Sequence, residues 1–100
     1  MLLQLPMNST DVQNAEIISV TEAKTWAQLR IEEGKLREVI HSDTYDGFEN
    51  YSKAVVLTSD KEPVLDFINM SMMVLVAHTQ KTINEIVEAF LFRELHDLAY

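Results

Sequence analysis

Fifteen residues from Pro63 to Ala77, PVLDFINMSMMVLVA, limit the folds open to this chain more than any other stretch. On a helix their apolar side chains point in almost every direction, and only Asp66, Asn69 and Ser71 interrupt the cover. A helix that is hydrophobic all round has to be buried all round. A chain of 100 residues has little material to wrap one. Part of the cover is therefore expected from a partner or a second copy, with Met70, Met72 and Met73 as the self-association residues. Ser59-Asp60-Lys61-Glu62 has capping-box spacing and Pro63 suits a first helical turn, so the stretch is predicted helical. The competing reading makes Asp60–Pro63 a turn and residues 64–69 or 71–77 a buried strand. Periodicity does not separate the two in a continuous apolar run.

The flanking sequence supplies the other elements. Residues 8–13, NSTDVQ, are rich in side chains that start helices, which predicts a helix from about Thr10 to Trp26 with a break near Ser19. Beyond Trp26 the apolar residues Ala27, Leu29 and Ile31 alternate with polar ones, a period of two. Glu33-Gly34 and Asp46-Gly47 hold the only two glycines and read as turns. They divide a predicted three-stranded antiparallel meander at about 27–32, 35–43 and 50–58. Thr79 or Thr82 starts a last helix to about Ala99, whose residues Ile83, Ile86, Val87, Phe90, Leu91, Leu95 and Leu98 share one face. The opening MLLQLP is either a leader, with Met7 as an alternative start, or an edge strand.

The fold expected is a single α+β domain over residues 1–100: an N-terminal helix, a three-stranded antiparallel meander and two C-terminal helices. The alternative is a mainly α bundle. The predicted element order resembles that of double-stranded-RNA-binding domains in its first five elements. The lysine-rich helix start that contacts phosphate in those domains has no counterpart in this sequence.

Charge narrows function. Eight basic against sixteen acidic residues gives a net charge of 8 − 16 = −8. Such a surface repels nucleic-acid phosphate and anionic lipid, so neither direct nucleic-acid binding nor membrane association is expected. A partner protein with a basic surface is the expectation. With no cysteine there is no thiolate metal site or thiol nucleophile, and a cytoplasmic home fits. The run at 63–77 falls short of the roughly 20 residues a membrane-spanning helix needs.

Two patches are candidate contacts. Asp43, Asp46 and Glu49 alternate with Tyr45, Phe48 and Tyr51, an acidic and aromatic set suited to capturing a basic surface. On the last helix Glu85, Glu88 and Phe92 lie opposite the apolar stripe. Signals for catalysis are weak. Glu38-Val-Ile-His41 has the Glu-x-x-His spacing of di-iron bundles, but no second pair exists. Glu85-x-x-Glu88 and Glu94-x-x-Asp97 are acidic pairs of the kind a solvated helix face carries. No nucleophile elbow or glycine-rich phosphate loop is present.

The expected function is therefore non-enzymatic, without metal or cofactor. It is that of a small acidic protein that inhibits or regulates a partner, with a basic nucleic-acid-handling protein as candidate and carboxylates standing where nucleic-acid phosphates would lie. A self-assembling structural subunit, a homodimer or larger oligomer, is the alternative, and a carboxylate-metal enzyme the third reading.

Overall fold

A computed structural model describes residues 1–98. The sheet is six-stranded and mixed, in the order β3-β2-β1-β4-β5-β6. Its strands are β1 (Leu2–Met7), β2 (Thr25–Glu32), β3 (Lys35–Ser42), β4 (Ala54–Leu57), β5 (Met73–Val76) and β6 (His96–Leu98). The helices are α1 (Leu65–Asn69) and α2 (Ile83–Leu91), with one 3₁₀ turn at Val20–Glu22. β1 runs antiparallel to β2 and parallel to β4, β4 is parallel to β5, and β3 and β6 close the two edges antiparallel to their neighbours. No described helix is long and apolar enough to cross a membrane.

This architecture overturns the predicted N-terminal helix, three-stranded meander and two C-terminal helices, and equally the mainly α alternative. Each difference has a local cause. Residues 8–19 are irregular because their polar side chains bond the nearby backbone. Asp11 accepts from the amides of Gln13 and Asn14, and Asn8 Oδ1 accepts from Glu16 N. Such side chains offer the backbone an alternative to a helix. MLLQLP forms a central strand, with Leu3, Leu5 and Met7 wholly buried. Pro6 is tolerated there because its position lies beyond the two residues of β1 that pair with β4, and its carbonyl accepts from Ile18 N.

The predicted third strand of the meander does not return beside β3. β4 pairs with β1 and β5, so residues 43–53 cross the sheet instead of turning back. The stretch 63–77 splits into five helical residues, a bend and β5. Ser71 adopts φ +61, with Met72 N bonded to Phe67 O and Ser71 N to Ile68 O, which is a Schellman ending. α2 ends the same way at Arg93, φ +57, with Glu94 N on Ala89 O and Arg93 N on Phe90 O. Neither stop uses glycine, and the predicted run to Ala99 ends at Leu91; Ala99 itself lies outside the described residues.

Two cores result, one on each face of the sheet. Leu3, Leu5, Leu29, Val56 and Leu75 pack under Ile83, Ile86 and Val87 of α2. On the other face Trp26, Val55, Leu57 and Val74 pack with Phe67 of α1 and with Met72. The greasy stretch is thus only partly covered by its own chain: Phe67, Met72 and residues 74–77 are buried, while Leu65 and Met73 stay exposed.

Candidate functional site

β3 lies at one edge and β4 beyond β1, so the link between them must pass over β2 and β1. It does so on the face that carries α1. Two buried glutamines hold it down. Gln4 Nε2 donates to Tyr45 O at 2.9 Å, and Gln28 Nε2 donates to Asn50 O at 2.9 Å and to Ser52 Oγ at 2.8 Å. Gln4 and Gln28 are 1% and 2% exposed, so these bonds are shielded from water and fix where the crossover sits. Gly47 leaves room at its turn for the Ser42 hydroxyl, which a Cβ there would force to move.

Tyr45 reaches back into the core, with its ring centroid 5.9 Å from Trp26 and 5.3 Å from Phe67 in edge-to-face arrangements. Its hydroxyl donates to Asp66 Oδ2 at 3.2 Å. The Asp66 charge, that hydrogen bond, partial desolvation and the charge of Asp46 together raise the Tyr45 phenol above its ordinary value. Tyr51 stays half exposed, and its hydroxyl donates to Met70 O at 2.7 Å. Phe48 is partly buried against the Trp26–Phe67 core. Between these groups runs a groove of about 210 Å³, with Gln4, Tyr45, Asp46, Glu49, Tyr51 and Met70 among its walls.

The predicted contact residues therefore divide. Asp43, Asp46 and Glu49 are exposed and Tyr51 rims the groove, whereas Tyr45 and Phe48 face inward. Glu85 and Glu88 lie on α2 and Phe92 just past its end, on the opposite face of the sheet, and they do not join the first set. Glu85 caps α2: its carboxylate accepts from Lys81 N at 2.9 Å and Thr82 N at 3.0 Å, which holds it below the usual carboxylate range. Glu88 is exposed and Phe92 is 70% exposed at the helix end. Of the three methionines, Met72 is buried in the core, Met70 is half buried beside Tyr51, and Met73 is exposed on β5.

Sequence reasoning missed Gln4, Gln28 and Asp66 as parts of this site. Two glutamines inside apolar strands are a signal in themselves, because a buried amide needs a partner. For metal chemistry, no group of three His, Asp or Glu side chains able to hold an ion occurs among the described residues. Glu38 pairs with Arg30 and His41 with Ala27, which puts the two ends of the Glu-x-x-His spacing on opposite faces of β3.

Charge distinguishes the crossover from the hairpin before it. The ion pairs among the described residues are Arg30–Glu32, Arg30–Glu38 and Arg37–Glu33, all in the β2–β3 hairpin. Among the described residues, no cation lies within ion-pair distance of Asp43, Asp46, Glu49 or Asp66.

No family model matches the sequence, and no curated protein matches it. Solved structures do share its fold. The crystal structure of PH0822 superposes with a TM-score of 0.75 at 13% identity, over 98% of this chain and 96% of that one. A Methanocaldococcus jannaschii protein provisionally described as a dinitrogenase gives 0.74 at 14% identity, over 99% and 95%. At such identities the likeness is one of fold.

Proposed function

We propose that the protein is a non-enzymatic binding module of the cytoplasm that inhibits or regulates a partner through its acidic crossover face. The observation that supports this is a set of carboxylates without ion-pair partners among the described residues: Asp46 and Glu49 line a groove walled by Tyr45, Tyr51 and Met70, and Asp66 accepts from the Tyr45 hydroxyl. Carboxylates without cations attract a basic surface and speed its arrival, while rings and a thioether supply contact area once water is displaced. A nucleic-acid-handling protein, whose own cleft is basic, is the partner class that suits this charge.

The test is capture of the partner on immobilised protein, followed by titration of the purified partner against wild type and the triple variant Asp46→Asn, Glu49→Gln, Asp66→Asn. Neutralising the three carboxylates is expected to slow association by about tenfold or more, since local fields of one sign raise on-rates by that order. Wild-type association should slow as salt is added, and the variant's far less. Equal rates for the two proteins at low salt would overturn the reading.

A further inference from the structure

His78 and His96 stand 18 positions apart in the sequence and meet at the outer edge of the sheet. The register brings them together. His96 pairs with Val76 across the antiparallel β5–β6 ladder, and His78 follows Val76 by two residues. β5 ends at Val76 and the chain bends at His78, which brings its ring beside that of His96 at this end of the ladder. Their ring centroids are 5.8 Å apart with planes inclined at 47°, and both residues are exposed. Asp97, the next residue along, pairs with Leu75 and so faces the other way.

We propose that His78 and His96 form a two-imidazole site for a divalent late transition-metal ion, with copper(II) the tightest binder. A metal sits about 2.0–2.1 Å from a ligating imidazole nitrogen, so two rings sharing one ion have centroids roughly 4.5–6.5 Å apart as the nitrogen–metal–nitrogen angle opens from a right angle to a straight line. The observed separation falls inside that range. Imidazole suits copper, nickel and zinc, and the order of affinities for such sites peaks at copper(II). The chain has no cysteine to favour a softer ion. Its net charge of −8 raises the local concentration of any cation. Two protein ligands leave the remaining positions to water. The site is therefore open and exchangeable, unlike a structural zinc site, which closes with four ligands. The proposal is independent of the crossover groove, where neither histidine lies.

The test is calorimetric titration of the metal-free protein with copper(II), with the electron paramagnetic resonance spectrum of the loaded protein as second readout. Wild type should bind one ion per chain, with nitrogen hyperfine structure from two imidazoles. His78→Ala and His96→Ala should each lose affinity on the order of a hundredfold, because the second of two tethered ligands binds at high effective concentration. The double variant should bind little worse than either single one. His41→Ala, altered on the opposite edge strand, should bind like wild type. Circular dichroism of each variant shows that the sheet is intact. Equal affinity in wild type and both single variants overturns the proposal, as does one ion per two chains or a one-imidazole spectrum.

Discussion

The β2–β3 hairpin and the crossover that follows it are built on different principles. In the hairpin everything needed is close by in the chain. Apolar and polar residues alternate along β2, and Glu33 and Gly34 take φ of +54 and +74, the two positive values a type I′ turn uses. From Arg30 to Glu38 the charges balance, three basic against three acidic. In the crossover the holding contacts come from far away: Gln4 bonds Tyr45 across 41 residues, Gln28 bonds Asn50 across 22, and Tyr45 bonds Asp66 across 21. From Asp43 to Lys53 there are three carboxylates and a single cation, Lys53 at the far end. The difference teaches where the molecule's charge is free to act. The hairpin neutralises itself, and the crossover leaves its charge to solvent or to a partner.

That contrast breaks most sharply at Phe67. Its ring is 2% exposed and touches both Trp26 and Tyr45, so it links α1 to the crossover and to the sheet. Phe67→Ala should cost about 3–5 kcal/mol, the range for removing a buried aromatic ring. Urea denaturation measures it, and a loss below about 1 kcal/mol would mean the aromatic cluster does not anchor this face. Gln28→Leu comes next. The substitution keeps the volume and leaves Asn50 O and Ser52 Oγ without their donor, a loss of about 1–3 kcal/mol. Amide exchange should quicken through residues 43–52 and stay slow in the hairpin. Equal acceleration in both would show the two regions to be one cooperative unit, and the comparison would fail.

The same division decides how much of the molecule was legible in the sequence. The turn at Glu33-Gly34 and the Thr82 cap of α2 were readable, because their signals lie within a few residues of the structure they set. The central placement of Leu2–Met7 was not. An apolar hexapeptide reads alike as a leader, an edge or a middle strand until its neighbours are known. Nor were the stops at Ser71 and Arg93 readable, since a helix ending in the left-handed region is expected to advertise itself with glycine. For the site, the carboxylates and rings of 43–51 stood out in the sequence. Which rings face inward did not, because Tyr45 is turned toward Trp26 and Phe67 by packing contacts from two other elements. Nothing in the local sequence links His78 to His96, whereas the register of β5 and β6 joins them.

The smallest effect expected is at Arg37. The change from the Arg30–Glu38 pair to the Ile31–Leu36 pair leaves Arg37 unpaired as the extra residue of a bulge, on the open edge of the sheet. Its guanidinium lies 4.0 Å from Glu33, whose side chain is 87% exposed, so solvent screens the pair and both side chains keep most of their rotamer freedom. Arg37→Ala should therefore change stability by no more than about 0.5 kcal/mol, and added salt should erase even that. Measured beside Gln28→Leu, the variant sets a surface charge contact against a buried amide that ties distant segments. A loss from Arg37→Ala matching that from Gln28→Leu would show that the hairpin depends on its ion pairs. Its charge balance would then be a source of stability, and the contrast with the unpaired carboxylates of the crossover would weaken.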